Sequence, residues 1–403
     1  MKIGLFTDTY YPQINGVAIS VQMLKEALEL LGHQVYVFTT TDPNAPKKEI
    51  HVYRLPSIPF VEAKRFGMLY HPHLARFIRK LGLDLIHTQT EFPLGIFGRR
   101  MARELQIPLL HTYHTIYEDY THYLVKFGSL DSIAKTMVRK LSANFCNSAD
   151  EVIVPTEKVK ELLLSYGVNQ DISVIPTGIK LDKFYKCSYS ADKVRELRTN
   201  LGIGMSDKVI LYIGRMSEEK NISEILIAMK SYLKDRNDVK FLLIGDGSDR
   251  HNLEYMAKEL NIHKQVIFAG ERPWNEIGIY YQLGDIFVSA SQSETQGLTY
   301  IEALASGLPV VAKADRCLDG VVKNNVNGYA FHDQEDFLQA LDSILYNDIF
   351  KEQLSIGAIK EAERFSVKSF ADTVESLYQH TFDSREVAAR RQKSKHNLGH
   401  FLR

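Results

Sequence analysis

Two cations five positions apart open a helical stretch in Gly214-Arg215-Met216-Ser217-Glu218-Glu219-Lys220-Asn221. Arginine offers a planar fork of donors and lysine a compact charge, a combination suited to a diphosphate; a solvated loop is the competing reading. Further on stands Ser291-Gln292-Ser293-Glu294-Thr295-Gln296-Gly297-Leu298-Thr299-Tyr300-Ile301-Glu302. Gly297 marks a helix start, so the amides of Gly297, Leu298 and Thr299 point outward, toward phosphate or sugar oxygens. Glu294 precedes that helix, and its carboxylate can accept from paired sugar hydroxyls; an ordinary acidic cap would explain it too. Such a cap explains Glu302 less well, because Ile301, Ala303 and Leu304 around it are apolar.

Nearer the start, Asn15-Gly16 places a turn before a helix, where free amides can hold an anion and glycine lets it come close. A plain strand-to-helix turn is the other reading. His111 and His114, with Glu118, Asp119 and His122 nearby, raise the question of a metal. His-x-x-His here begins in a strand and leaves it, so the rings need not converge. A neutral histidine at a strand end can instead hydrogen-bond a substrate hydroxyl or carbonyl.

These residues all follow strand-like runs. In the first half Lys2–Thr7, Gln34–Thr40, His51–Leu55, Leu85–Thr88, Pro108–Thr112 and Glu151–Pro155 read as strands. Ala18–Leu31, Leu74–Leu81, Ile96–Leu105 and Ser129–Phe145 read as helices between them. The second half repeats the pattern. Its strands are Lys208–Ile213, Val239–Ile244, Val266–Ala269, Ile286–Ala290 and Pro309–Ala312, and its helices Ile222–Leu233, Leu253–Leu260, Glu276–Leu283 and Thr299–Ala305. Such alternation predicts an α/β fold of two doubly wound, Rossmann-like domains of parallel strands with crossover helices. The expected division is 1–178 plus about 366–403, and 179–365, with polar residues after Pro176-Thr177-Gly178-Ile179 to about Gly204 as the passage between them. A ligand is expected in the cleft at the carboxyl ends of the strands.

The 403 residues hold 49 basic and 49 acidic side chains, and 45% are apolar, which excludes wholesale disorder. The chain is expected to bind no nucleic acid, having neither a basic excess nor a reader motif. Its charge is uneven. Residues 51–140 hold 13 basic and 7 acidic side chains, 201–350 hold 14 and 22, and 384–403 hold six and one. A basic first half suits an anionic membrane surface, although clustering on solvated faces would look the same. No stretch of 18 apolar residues appears, so no membrane span is expected. Met1-Lys2-Ile3-Gly4-Leu5-Phe6-Thr7-Asp8 reads as a strand, not a leader. Cys146, Cys187 and Cys317 lie far apart, which suits a reducing cytoplasm.

Two helices could lie flat on lipid. Ser129–Phe145 sets Leu130, Ile133, Ala134, Met137, Val138, Leu141 and Phe145 on an apolar side flanked by Lys135, Arg139 and Lys140. Leu74–Leu81 carries Arg76, Arg79 and Lys80 beside Phe77 and Ile78, after Phe60, Phe66, Met68, Leu69 and Tyr70. Packing of these stripes on the sheet is the alternative. Arg385–Arg403, with Leu398, Phe401 and Leu402, reads as a second lipid contact or a disordered tail.

With Gly16, His114, Arg215, Lys220 and Glu294-x7-Glu302 in this order, the chain resembles the GT-B retaining glycosyltransferases of glycosyltransferase family 4 over nearly its whole length. Within the family, Gly4-Leu-Phe-Thr-Asp-Thr-Tyr-Tyr-Pro-Gln, His87-Thr-Gln-Thr-Glu-Phe, His111-Thr-Tyr-His-Thr-Ile-Tyr-Glu-Asp-Tyr and Ser293-Glu-Thr-Gln-Gly-Leu-Thr-Tyr look like bacterial 1,2-diacylglycerol 3-glucosyltransferases. The resemblance implies transfer of glucose from UDP-glucose to diacylglycerol with retained anomeric configuration, at the inner face of the cell membrane. Arg215 and Lys220 would hold the donor diphosphate, with Gly16 and the amides of Gly297, Leu298 and Thr299 adding donors. Glu302 would bind ribose, Glu294 the transferred sugar, and His114 the sugar near its anomeric carbon. Residues 366–382 would form the family's crossing helix. Many members carry Phe or Tyr shortly after the first Glu, where Thr295 and Gln296 stand here.

No strict Asp-x-Asp occurs, so two cations and a helix end are expected to hold the diphosphate without a metal ion or other cofactor. Other readings are a hexosyltransferase acting on a glycolipid or a soluble sugar, and a sugar-nucleotide-binding protein or GT-B epimerase without transfer. A dehydrogenase is disfavoured, since no G-x-G-x-x-G follows the first strand.

Overall fold

The structure, a computed structural model, describes residues 1–13, 15–59, 65–67, 71–116, 118 and 131–401; the side chains at 58–59, 65–67, 131–134 and 386–401 are outside the description. The chain divides into two compact units, Met1–Gly178 with Val367–Arg403, and Ile179–Ser366.

The first unit holds the strands β1 (Lys2–Phe6), β2 (Gln34–Thr40), β3 (Val52–Leu55), β4 (Ser57–Pro59), β5 (Arg65–Gly67), β6 (Leu85–Thr88), β7 (Leu109–Thr112), β8 (Glu151–Val154) and β9 (Ile172–Val174). Its helices up to residue 178 are α1 (Gly16–Leu30), α2 (Pro72–Leu81), α3 (Pro93–Leu105), α4 (Asp131–Cys146) and α5 (Glu157–Ser165). Seven strands form one parallel sheet in the order β3-β2-β1-β6-β7-β8-β9, while β4 and β5 pair as an antiparallel ribbon.

The second unit holds β10 (Lys208–Ile213), β11 (Val239–Ile244), β12 (Val266–Gly270), β13 (Ile286–Ser289), β14 (Val310–Lys313) and β15 (Gly328–Phe331). They form a parallel sheet in the order β12-β11-β10-β13-β14-β15. Its helices are α6 (Ala191–Asn200), α7 (Ile222–Leu233), α8 (Arg250–Glu259), α9 (Ile277–Tyr281), α10 (Leu298–Ala305), α11 (Gln334–Leu345) and α12 (Asp348–Ala362). The polar stretch before Gly204 therefore contains a helix, started by Ser190, whose side chain accepts from the Lys193 amide.

Both sheets are buried on both faces, which is why their strands read as near-continuous apolar runs. In β10, Val209, Leu211 and Ile213 enter one core, and Ile210 and Tyr212 the other. In β1, Ile3 and Leu5 face a core opposite to that of Phe6. The strand order reverses between β1 and β6 in one unit and between β10 and β13 in the other. Such switch points open a crevice at the carboxyl ends of the flanking strands, where ligands of open α/β sheets bind.

Helix starts explain small departures from the sequence reading. Pro93 occupies the first turn of α3, where its missing N–H costs nothing, so the helix begins three residues before Ile96. His71 Nδ1 accepts from the Leu74 amide and starts α2 at Pro72. The last helix, α13 (Val367–Phe401), runs well beyond 382. It belongs to the first unit, packing Phe370, Val374 and Tyr378 against Ile3, Leu5, Val21 and Leu24. His33 Nε2 to Glu375, 2.9 Å, ties it further.

Candidate active site

At the first switch point the loop after β1 begins with Asp8, which is buried. Thr90 Oγ1 donates to its Oδ2 at 2.6 Å, and the Leu94 amide of α3 lies 3.2 Å from both oxygens. Asp8 thus caps a helix 86 positions away. Burial pushes its carboxyl up to about 6, against the Thr90 bond and the α3 amides. The same loop ends at Asn15, whose Oδ1 accepts from the Ala18 amide at 2.9 Å while its Nδ2 donates to Thr9 Oγ1 at 2.7 Å. Gly16 is the first residue of α1, so its amide belongs to the helix turn that lacks intrahelical acceptors.

Behind this loop lie three histidines from the ends of β6 and β7. His87 is fully buried between the Tyr378 hydroxyl and Thr112 Oγ1, each at 2.7 Å, and burial holds its pKa well below the ordinary value. His111 faces the Thr88 carbonyl at 3.1 Å and the Glu91 carboxylate at 3.1 Å. His111 and His114 do not converge on a common point. The Nε2 of His114 meets Gln89 Oε1 at 2.8 Å, and burial, with His111 second, lowers its pKa to about 3. Glu118 pairs with Arg139, while Asp119 and His122 lie outside the described residues. Among the described residues no three His, Cys, Asp or Glu side chains are grouped to hold a metal ion.

At the second switch point the side chains are ionic. Arg215 follows β10 with a side chain 43% exposed and donates to Glu219 Oε1 at 3.0 Å, an oxygen that also accepts from Ser217 at 2.7 Å. Lys220 closes a single 3-10 turn and donates from Nζ to Glu294 Oε1 at 2.5 Å. The sequence reading assigned these two residues separate tasks. In the fold they form a half-buried ion pair that fastens the loop after β10 to the loop after β13, helped by Asn221 Nδ2 on the Ala290 carbonyl at 3.4 Å. A diphosphate reaching Lys220 must compete with Glu294 for it.

Gly297 has φ of 71°, the left-handed region, and a Cβ there would lie 2.4 Å from the Tyr300 ring. Only glycine fits both demands, and it turns the chain into α10 with Leu298 and Thr299 in the unpaired first turn. One turn later Glu302 is 7% exposed and accepts from the Tyr281 hydroxyl at 2.7 Å. Burial raises its pKa, opposed by Tyr281 and by the charge of Lys183. Lys183 in turn stands over the Trp274 ring and donates to the Trp274 carbonyl at 3.3 Å. Burial lowers it to about 7, against the attraction of Glu302.

Sequence reasoning passed over Asp8, Gln89 and Lys183. Asp8 and Gln89 lie within two residues of a strand end, a signal that could have marked them. Nothing in the pattern marked Lys183.

The helices considered for lipid contact divide. In α2, Ala75 and Ile78 are buried and Phe77 packs on Tyr53 at 4.7 Å, so its apolar stripe belongs to the core and its exposed face is basic. In α4 the supposed single apolar side splits. Phe145 is buried and Val138 half-buried, whereas Met137 and Leu141 are 59% and 65% exposed beside Arg139 and Lys140. Leu130, Phe60, Met68, Leu69 and Tyr70 lie outside the described residues, as do the side chains of Phe66, Ile133, Ala134, Leu398 and Phe401, and Leu402 altogether. Among the described residues no helix is long and apolar enough to cross a membrane.

Residues 14–183 match the family model "Glycosyltransferase Family 4", and residues 193–361 match "Glycosyl transferases group 1". The chain is 44% identical over 344 residues to an alpha-monoglucosyldiacylglycerol synthase of Streptococcus pneumoniae, covering 85% of this chain and 77% of that protein. It is 35% identical over 390 residues to the synthase of that name from Acholeplasma laidlawii, covering 95% and 98%. Among solved structures, Anabaena HepE in complex with UDP superposes with a TM-score of 0.75 at 19% identity, covering 94% of this chain and all of that one. Sucrose-phosphate synthase from Thermosynechococcus elongatus does so with a TM-score of 0.74 at 24% identity, covering 95% and 99%. The fold is GT-B, and the chain belongs to glycosyltransferase family 4.

Proposed function

We propose that the protein transfers glucose from UDP-glucose to the 3-hydroxyl of 1,2-diacylglycerol with retention, giving α-monoglucosyldiacylglycerol. The observation that carries this reading is the identity to two synthases of that product over 85% and 95% of the chain. The charged switch point of the second unit supports the donor class. Expelling UDP leaves a diphosphate whose growing negative charge must be held. Arg215 and Lys220 supply two positive charges for that task, and the amides of Gly16, Gly297, Leu298 and Thr299 add oriented donors. Fixed charge of this kind lowers such a barrier by several kcal/mol. These residues take the place that a divalent ion occupies in metal-dependent transferases, so the reaction needs no metal for the diphosphate.

Glu302, beside Lys183, accepts from the ribose hydroxyls. Glu294 accepts from hydroxyls of the transferred glucose once the donor has drawn Lys220 away. His114, neutral near pH 7, hydrogen-bonds the sugar near its anomeric carbon. The acceptor is collected from the membrane surface. The exposure of Met137 and Leu141 beside Arg139 and Lys140 supports contact with an anionic interface, and the basic face of α2 adds charge. The protein then works peripherally at the cytoplasmic face of the cell membrane.

The test is to incubate the enzyme with UDP-glucose or UDP-galactose and dioleoylglycerol in vesicles containing phosphatidylglycerol, then identify the lipid. An α-linked monoglucoside is expected. A galactolipid, a diglycosyl product or an unchanged lipid would contradict the reading.

A further inference from the structure

Among the described residues one side chain holds His114, and it limits what the ring can offer. Gln89 follows β6 by one residue and is 2% exposed. Its amide is N–H donor at one end and acceptor-only at the other. The oxygen end lies 2.8 Å from His114 Nε2, a contact that is a hydrogen bond only when Nε2 carries the hydrogen. The nitrogen end, Nε2 of Gln89, is buried with no hydrogen-bond partner among the described residues. A buried donor left without an acceptor costs about 1–3 kcal/mol, so its retention calls for an explanation. Rotating the amide would not remove that cost, because the oxygen would then be the orphan. It would, however, reverse the histidine: Nε2 would accept, and Nδ1 would become the donor. The orientation of one amide therefore sets whether the ring's other nitrogen gives or takes a hydrogen bond.

We propose that Gln89 is a positioning residue that fixes His114 as the Nε2–H tautomer, so that Nδ1 presents a lone pair to a hydroxyl hydrogen of the donor hexose. The role of Nδ1 rests on the transferase reading; the tautomer does not. The surroundings favour a ring without charge. Among the described residues His87 and His111 are the titratable groups facing it, and Glu91 is engaged with His111. Burial lowers the pKa of His114 to about 3, so the ring keeps a single hydrogen throughout the physiological range. A neutral acceptor aligns a sugar hydroxyl without placing a second positive charge beside an anomeric carbon that itself becomes electron-poor as UDP departs.

The experiment is long-range proton–nitrogen correlation NMR on the full chain labelled with 15N at histidine, with the His114 signals identified by their absence from His114→Asn. The Nε2–H tautomer is expected from pH 8 to pH 5. The Nδ1–H tautomer, or titration near the ordinary histidine value, would overturn the proposal. The companion variant is Gln89→Glu, whose carboxylate would stabilise the imidazolium. It should move the acid limb of kcat/KM up by at least one pH unit, and an acid limb unchanged from wild type would count against Gln89. The wild-type spectrum decides the tautomer even if that variant fails to fold. Wild-type protein that shows the Nε2–H tautomer but transfers no glucose would support the positioning role while removing the transferase reading.

Discussion

The two units share the strand order around the switch point and differ in what stands there. In the first, the end of β6 carries His87 and the loops after β1, β6 and β7 carry Asp8, Gln89 and His114, buried or half-buried and joined largely by hydrogen bonds, and burial favours the uncharged form of Asp8, His87 and His114. In the second, the loops after β10 and β13 carry Arg215 with Glu219 and Lys220 with Glu294, ion pairs open to water on one side. A neutral, rigid end suits hydroxyl groups, whose recognition depends on angle. A charged end whose cations are held by exchangeable carboxylates suits an anion that arrives and leaves. In the proposed reading, this arrangement serves the uncharged sugar in one unit and the charged leaving group in the other through the residues that follow the strands.

That contrast breaks most sharply at the cations. Lys220→Ala or Arg215→Ala should lower kcat by about a hundredfold or more, the usual effect of removing one preorganised charge at a developing anion. Steady-state transfer in vesicles measures it, and full activity in either variant would remove the charged role of the second unit. Glu294→Ala should lower kcat while leaving UDP binding largely intact, since it also frees Lys220.

The next largest effect concerns the surface of the first unit. Met137→Glu combined with Leu141→Glu should cut flotation with anionic vesicles by ten- to a hundredfold, because each buried apolar side chain contributes about 1.5–3 kcal/mol. Transfer to a detergent-dispersed acceptor should persist. Equal flotation of variant and wild type would return α4 to an ordinary solvated face.

The neutral end makes a prediction about acid. His87 and His114 have depressed pKa values in the fold, so the unfolded chain binds more protons below the ordinary 6.5. The stability they contribute is present above pH 6.5 and is lost as pH falls toward about 3 for His114. Asp8, raised from 3.8 to about 6, acts oppositely: its contribution is present at low pH and is lost as pH rises through about 6. At pH 5 His114 costs up to about 2 kcal/mol and His87 acts in the same direction, which together outweigh Asp8. Thermal unfolding should show a lower Tm at pH 5 than at pH 7.5, with a smaller drop in His114→Gln. An identical drop would mean that the ring is not held neutral.

The smallest effect sharpens the charged side. Lys183→Met leaves Glu302 without its countercharge, and the KM for UDP-glucose should rise about tenfold, or ~1.4 kcal/mol, with kcat little changed. An unchanged KM would detach Glu302 from donor recognition.

Much of this was legible in the chain. Apolar runs at strand length, separated by helical spacing, pointed to two parallel sheets, and the residues after each run included every group at the charged switch point. The helix start at Gly297 was legible, whereas the left-handed backbone that makes glycine necessary there came only with the structure. What escaped were relations between distant residues. Lys220 and Glu294 lie 74 positions apart, and neither spacing nor composition says that they meet. Asp8 caps α3 across the sheet, a task no local pattern displays. The exposure of Met137 and Leu141 beside the burial of Phe145 depends on which face of α4 meets the sheet, and helical periodicity alone merged the two into one stripe. Lys183 gained its role from the burial of Glu302.

The central claim is that Lys220, released from Glu294, grips the donor diphosphate without a metal ion. Calorimetric titration of UDP into the purified protein with excess chelator tests it directly, with Lys220→Ala measured in parallel. The account predicts binding that persists in chelator and weakens by at least tenfold in the variant. Binding that disappears with the chelator, or that Lys220→Ala leaves unchanged, would contradict it.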